Sequence, residues 1–365
     1  MPLPLRLPIA VDEPARSRLG LFTTTDLLAR GIGESEIRTA VRAGTWVRLR
    51  TGVFVTARDL AEVEATGRRP GLDALAVTIS LGRPSAVLSG STAAWVWGLP
   101  RPRQAADVVH LTDPHRWRRG RGWLMTQAAL PDGEVTVRGA YRVTTAARTV
   151  VDLARTWSEV AAVAAIDSAL LRGLASRQEL TAVLAGQSRV AGTPRSVRAV
   201  GLADGRAESW LETYGRLVFA ALGLPPFIPQ VELWVDGNLL KVVDGWYPEA
   251  ALAIEFDGRI KYRQPRFGRT PDDELWREKR AEDLLRSLGV RFVRVATDDL
   301  DRGRQALDRQ VRRTVATPGP AVRDFQEVPR AEGRFRGDDT GDDGWLFRAD
   351  DQVGGRRPPV VSRPT

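Results

Sequence analysis

The chain has 365 residues, 43% of them hydrophobic and 27% charged, with a formal net charge of +9 and a pI near 10.7. That length allows two or three domains with ordinary cores. The absence of Cys excludes a disulfide scaffold, a thiolate zinc site and a thiol nucleophile and agrees with a reducing cytoplasm, while the basic balance favours a polyanionic partner such as nucleic acid.

No apolar run reaches the length of a membrane span, and the lead-in over residues 1–19 has no uninterrupted apolar core of signal-peptide length. A cytoplasmic protein with no membrane partner is therefore expected. The segment 316–365 holds eight Arg against nine Asp and Glu, so the basic excess belongs to the first 315 residues. Arg outnumbers Lys 51 to 3, and all three lysines, Lys241, Lys261 and Lys279, fall in one region.

Residues 20–60 predict a winged helix-turn-helix. A threonine from Thr23 to Thr25 can cap a short helix, Gly31 and Gly33 break it, and a second helix starts at Glu34 or Ser35 and stops before Gly44. WVRLR and VFVT then read as two strands around Thr51 and Gly52. Arg38 and Arg42 stand one turn apart on the second helix, where they can face a DNA groove, and Arg48 and Arg50 on the wing can reach phosphates. A wing used for protein contacts, with solvated arginines, is the alternative.

Residues 70–184 read as a middle α/β domain. Trp95 and Trp97 are expected to fill core, and PHRWRRGRGW presents Arg116, Arg118, Arg119 and Arg121 interleaved with Trp117 and Trp123, either a phosphate-contacting loop or a solvated basic turn. His110 and His115 are too few and too scattered for a zinc site or a His-based triad and read as structural or surface residues. In the helical stretch that follows, Arg148 and Asp152 are four apart and suited to pair on one helix face. The Gly-rich, basic segment 185–206 is expected to be a linker or hinge helix and the main domain boundary.

From Ala207 an amphipathic helix with Glu208 and Glu212 precedes a strand, then an acidic hairpin in LLKVVDGWYPEAALAIEFDGRIKY. A turn centred on Glu249 and Ala250 sets Asp244 directly opposite Glu255; one centred on Pro248 and Glu249 makes them diagonal neighbours on the same face. Glu255 and Asp257 share a face, with Leu252, Ile254 and Phe256 on the other. Such crowding disfavours a sheet by up to ~1 kcal/mol per pair, and a divalent cation relieves it; a solvated strand end that merely blunts an edge is the alternative. A helix carrying Lys279 and Arg280, a buried strand and a last helix complete residues 207–315, and 316–365 reads as a disordered tail.

The order of helix with Glu, strand with Asp, strand with Glu, helix and strand resembles the PD-(D/E)XK nuclease superfamily. Residues 207–315 are similar in particular to Vsr-like domains, related to very short patch repair endonucleases, through Glu208-Ser-Trp-Leu-Glu212, Val243-Asp244, Ile254-Glu255-Phe-Asp257-Gly258 and Glu278-Lys279-Arg280. Residues 20–184 resemble the AbiEi-family antitoxin architecture, a winged helix and then an α/β domain, marked by SGSTAAWVWGLP and VTTAARTVVDLA.

These resemblances imply an α/β multidomain protein whose C-terminal domain is a PD-(D/E)XK-like mixed sheet flanked by helices. They imply Mg²⁺ or Mn²⁺ at Asp244 and Glu255 with Glu212 completing or positioning the site, Glu208 being its alternative. Asp257 stands where the superfamily usually has its Lys; Lys261, four positions on, is the implied substitute, and Lys279 with Arg280 is implied at the scissile phosphate. Two functions follow: a Mg²⁺-dependent DNA endonuclease, or an antitoxin-like DNA-binding transcriptional regulator whose nuclease-like domain is inactive. DNA is the implied partner in both, with a cognate toxin-type or repair protein beside it.

Overall fold

The computed structural model describes residues 18–102, 108–257 and 271–333. The chain divides into two compact units, one made of residues 1–158 and 175–198, the other of 159–174 and 199–365. It is a mixed α/β protein of several domains, with three sheets among the described residues.

The first unit opens with β1 (Phe22–Thr23), α1 (Thr24–Leu28), α2 (Glu34–Arg42), β2 (Trp46–Arg50) and β3 (Val53–Thr56), whose strands form an antiparallel sheet in the order β1-β3-β2. Thr23 starts α1 through a capping box: its hydroxyl accepts from the Asp26 backbone N–H at 3.1 Å, and the Asp26 carboxylate accepts from the Thr23 N–H at 2.8 Å. Phe22, Leu27, Ile37, Trp46 and Phe54 close a small core between helices and wing. The opposite side of the wing, Leu21, Val53 and Val55, packs on Val63 of α3 (Ala57–Ala65) and on Leu72 and Leu75 of α4 (Arg69–Leu81).

A six-stranded mixed sheet follows, in the order β6-β7-β5-β4-β9-β8. It comprises β4 (Val87–Leu88), β5 (Val109–Asp113), β6 (Arg118–Gly120), β7 (Trp123–Gln127), β8 (Val135–Arg138) and β9 (Tyr141–Thr144), with α5 (Gly90–Val96) after β4 and α6 (Ala146–Ala154) after β9. Arg148 and Asp152 pair as expected, Nε to Oδ2 at 2.8 Å, and Arg148 also donates to Glu134. After α7 (Glu159–Leu171), which groups with the second unit, α8 (Arg177–Gly186) returns to the first. Of the linker or hinge helix expected over 185–206, the structure shows a helix, α9 (Thr193–Leu202), which buries Ser196, whose hydroxyl donates to the Val151 carbonyl at 2.9 Å.

The second unit has three layers. Its sheet runs β13-β12-β11-β10-β14, formed by β10 (Ile228–Val235), β11 (Asn238–Tyr247), β12 (Leu252–Phe256), β13 (Arg291–Val295) and β14 (Gln326–Pro329). Asp236 and Gly237 turn β10 into β11 with φ of 49° and 73°, the Asp-Gly hairpin geometry. β11 and β12 are antiparallel, whereas β12 and β13 are parallel, joined through α11 (Pro271–Ser287). One face carries α10 (Trp210–Ala221), α12 (Thr297–Asp301) and α13 (Arg304–Val315), with Leu211, Tyr214, Phe219, Leu300 and Val311 packed on Leu252, Ile254 and Phe256. On the other, Leu285 of α11 and Phe325 pack on Val231, Leu233, Trp246 and Ala253. Gly215 makes the first contact possible, because a Cβ there would lie 2.0 Å from the Phe256 ring.

The tail expected to be disordered from residue 316 is corrected over residues 316–333, because β14 pairs with β10. The charged composition concealed two anchors: buried Phe325, and Glu327, which accepts from the Trp246 indole N–H at 2.5 Å. The rest of that segment, 334–365, lies outside the described residues.

Candidate functional site

Two groups of side chains carry the chemistry anticipated from sequence. The first is acidic and lies in the second unit. The β11–β12 turn is the one centred on Glu249 and Ala250, since Gly245 pairs with Ile254 and Tyr247 with Leu252. The strands part beyond Gly245, where the Phe256 N–H donates at 2.7 Å to Oδ2 of Asp244 instead of to a backbone carbonyl. Leu252, Ile254 and Phe256 face α10, leaving Glu255 on the opposite side.

Glu212 enters from the first turn of α10. Ser209 caps that helix by accepting from the Glu212 N–H at 3.2 Å, and the Glu212 carboxylate accepts from the Ser209 hydroxyl at 2.8 Å and the Glu208 N–H at 2.9 Å. Gln230 joins it to the sheet: its Nε2 donates to Oε2 of Glu212 at 2.9 Å and reaches Oδ1 of Asp244 at 3.4 Å. Gln230 stands at φ 50° in the middle of β10, a left-handed conformation that costs a non-glycine residue on the order of 1 kcal/mol and persists only where surroundings enforce it. Glu255 is met by Lys241, Nζ to Oε2 at 3.2 Å, both side chains being mostly buried.

Glu212, Asp244 and Glu255 are thus buried carboxylates answered by protein donors. Such oxygens suit a hard cation. As arranged, however, a divalent ion would have to displace Lys241 from Glu255 and Gln230 from Asp244, and no group of three or more His, Cys, Asp or Glu among the described residues is disposed to hold a metal.

The remaining acidic candidates are spread apart by their pairings. Glu208 pairs with Arg330 at 2.9 Å, which also reaches Glu232 at 3.0 Å, so its observed bond is structural. Asp257 is half-exposed, with Arg294 3.6 Å away, and Arg294 makes a closer bond of 2.6 Å to Glu282 of α11. Lys279 and Arg280 are exposed on α11, the Lys279 ammonium 5.6 Å from the Trp276 ring centroid. Lys261 lies outside the described residues.

The second group is basic and lies in the first unit. Arg38 and Arg42 are exposed on α2, and Arg38 makes a 3.4 Å surface bridge to Glu34, an interaction worth well under ~1 kcal/mol and easily exchanged for a phosphate. Arg48 is exposed on the wing, its guanidinium 5.4 Å from the Phe54 ring centroid. Arg50 is turned away from the wing surface and donates to the Arg121 carbonyl. Arg116, Arg118 and Arg119 are exposed, as is Trp117 at 64%. Trp123 corrects the expected alternation: it is buried in the sheet core under the Arg118 guanidinium, 5.9 Å from its ring, so one indole of the pair is free to stack on a base. Half-buried His110 has its pKa lowered by desolvation and lies among core strands, whereas His115 is exposed.

Gln230 is the site residue that sequence reasoning missed, since an amide on an ordinary strand pattern gives no sign of it. Lys241 was visible only as one of three clustered lysines.

Residues 10–62 match the family model described as transcriptional regulator, AbiEi antitoxin, and residues 85–200 match the AbiEi antitoxin C-terminal domain. Those two stretches therefore carry AbiEi antitoxin family domains, and the matches end before the acidic group. Two uncharacterised Mycobacterium tuberculosis proteins, MT2308 of strain CDC 1551 / Oshkosh and Rv2248 of strain ATCC 25618 / H37Rv, are each 29% identical over 265 residues, 72% of this chain and 89% of the relative. The crystal structure of the RV2827C protein from Mycobacterium tuberculosis aligns with a TM-score of 0.38 and 19% identity, covering 54% of this chain and 78% of that one. No described helix is long and apolar enough to cross a membrane.

Proposed function

We propose that the chain is a DNA-binding regulator of the AbiEi antitoxin kind, with α2 read as its recognition helix and a cognate toxin as its protein partner. The observation that carries this reading is the pair Arg38 and Arg42, exposed one turn apart on the second helix of the winged module that matches the antitoxin regulator family. Arg48 on the wing adds a cation at a position suited to backbone phosphate, which positions a protein without reading sequence. The net charge of +9 supports a polyanionic partner.

The test is binding of the full chain to a duplex from its own upstream region, followed by fluorescence anisotropy at several salt concentrations. Arg38→Ala and Arg42→Ala should each weaken binding roughly 3- to 10-fold, with the slope of log affinity against log salt falling by about 1 for each phosphate contact removed. Unchanged affinity in the double variant would refute the assignment of α2.

A second reading is a Mg²⁺-dependent endodeoxyribonuclease in the second unit, with Asp244 and Glu255 holding the cation beside Glu212. Its support is the order α10, β10, β11, β12, α11, β13 and the strained Gln230 backbone at the carboxylates. Against it stands the protein's own neutralisation of those groups by Lys241 and Gln230. Calorimetric titration of Mg²⁺ or Mn²⁺ into the full chain separates the readings: the nuclease requires metal binding that Asp244→Asn removes, and the regulator alone predicts no heat of binding in either protein.

A further inference from the structure

The first unit contains a cavity of about 400 Å³ that the DNA-binding reading leaves unused. Its walls come from β2, the start of α4, α5 and the β6–β7 turn, where Gly122 takes φ 70°. Arg48, Arg50, Arg101 and Arg121 line it. Arg69 and Asp73 line it too, bonded to each other at 3.0 Å, and Arg69 also bonds Glu64 at 2.5 Å. None of the first four has a carboxylate partner among the described residues. Arg101 is the most telling, because desolvation lowers its pKa with nothing to offset it.

Four guanidinium groups held around one space repel one another, and each gains by sharing an anion. Planar guanidinium forks match phosphate oxygens pairwise, which a lysine cluster would not do. The rest of the wall has a different character. Leu49, Pro70 and Val108 are apolar, and the Trp95 indole stands beside them, braced edge-on against Tyr141 at 6.0 Å. Gly71 leaves room for that brace, since a Cβ there would lie 2.5 Å from the indole and 2.2 Å from the Tyr141 oxygen. A cavity of this size, part cationic and part aromatic, suits a ligand that is itself half anion and half ring.

We propose that this cavity binds a nucleoside polyphosphate, its phosphates held by Arg48, Arg50, Arg101 and Arg121 and its base lying against Trp95. Occupation would also withdraw Arg48 from the wing surface, so the ligand would compete with DNA. That coupling rests on the DNA-binding reading, whereas the site itself does not.

The experiment is calorimetry on the full chain without DNA, with ATP, GTP and pyrophosphate as probes. At least one nucleotide should bind with a Kd below about 100 μM and at least about 10-fold more tightly than pyrophosphate. Arg101→Met should weaken it by about 10-fold or more, while Arg101→Lys, which keeps the charge, recovers part of the loss. Thermal melting confirms folding first, and Arg121→Met, altered in an exposed turn, serves if Arg101→Met does not fold. The proposal is overturned if neither nucleotide binds at about 1 mM, if pyrophosphate binds as tightly as both, or if the folded variants bind like the parent. With no DNA in the cell, such a failure leaves the regulator reading intact.

Discussion

The two units treat clustered charge in opposite ways. In the second, each carboxylate of the acidic group meets a donor from its own chain: Glu212 meets Gln230, Asp244 meets the Phe256 N–H and Glu255 meets Lys241. The same unit buries Asp167 entirely and surrounds it with Arg216 at 2.8 Å, the Thr213 hydroxyl at 2.7 Å and the Asp204 N–H at 2.7 Å. In the first unit, Arg48, Arg50, Arg101 and Arg121 line a cavity whose lining carboxylate, Asp73, is bonded to Arg69, and none of the four has a carboxylate partner among the described residues. Charge compensated internally is explained by folding alone, because a buried ion left without its partner costs several kcal/mol. Charge without a carboxylate partner is open to an anion from outside the chain. The contrast is why the arginines, more than the carboxylates, point to a ligand.

The contrast is open to direct attack. The largest effect should come from Lys241→Met, which keeps the packed stem and removes the ammonium from Glu255. Unfolding of the second unit should become easier by about 3 kcal/mol near neutral pH, and adding Glu255→Gln should restore much of it. Denaturant titration reads this directly. A neutral Lys241→Met would mean that another cation serves Glu255, and the metal reading would gain what the contrast loses.

A smaller effect should come from Asp113 in the first unit. Burial pushes its carboxyl upward, but hydrogen bonds from Arg83, Ser85 and the His115 N–H outweigh that and hold it at about 2, below the usual 3.8. A depressed carboxyl contributes its stability fully above the unfolded value, so the contribution should be complete above about pH 4 and lost as pH falls towards 2. With Arg83 partly exposed and screened, it should amount to about 1–2 kcal/mol. Acid unfolding of Asp113→Asn should lack that component; an unchanged acid limb would show that the cluster does not drive it. The smallest effect belongs to Arg101→Met without ligand, where stability should stay within about 0.5 kcal/mol or rise, since burying an unanswered charge is a cost. A loss beyond about 1 kcal/mol would make Arg101 a structural group and erase the contrast.

Much of this was legible in the sequence where the signal is local. Thr23 and Asp26, three apart, spell a capping box; a Pro-Glu-Ala turn sets the β11–β12 register to within two choices, and alternation then sorts Glu255 from Ile254 and Phe256. The exposed arginines of α2 follow from helical spacing once Ile37 and Ala40 are placed inward. What stayed hidden depends on distant partners. α7 is apolar nearly all round, so its pattern reads the same whichever unit it packs in, and the choice shows in Asp167, which bonds Arg216, Thr213 and the Asp204 N–H. Gln230 matters because of a left-handed kink that no residue type announces. The cavity arginines are separated by up to 73 positions, from Arg48 to Arg121, and nothing in their spacing says that they meet.

β14 has a practical consequence for anyone cutting this chain. Without Gln326–Pro329, the outer backbone groups of β10 from Val231 to Trp234 would lose their partners, and Trp246 its carboxylate acceptor at Glu327. A bare strand carrying Leu233 and Trp234 is a template for sticking to its own copies. Expression fragments that stop after α13 should therefore precipitate or form strand-paired aggregates, whereas fragments carried through Gly333 should stay dispersed.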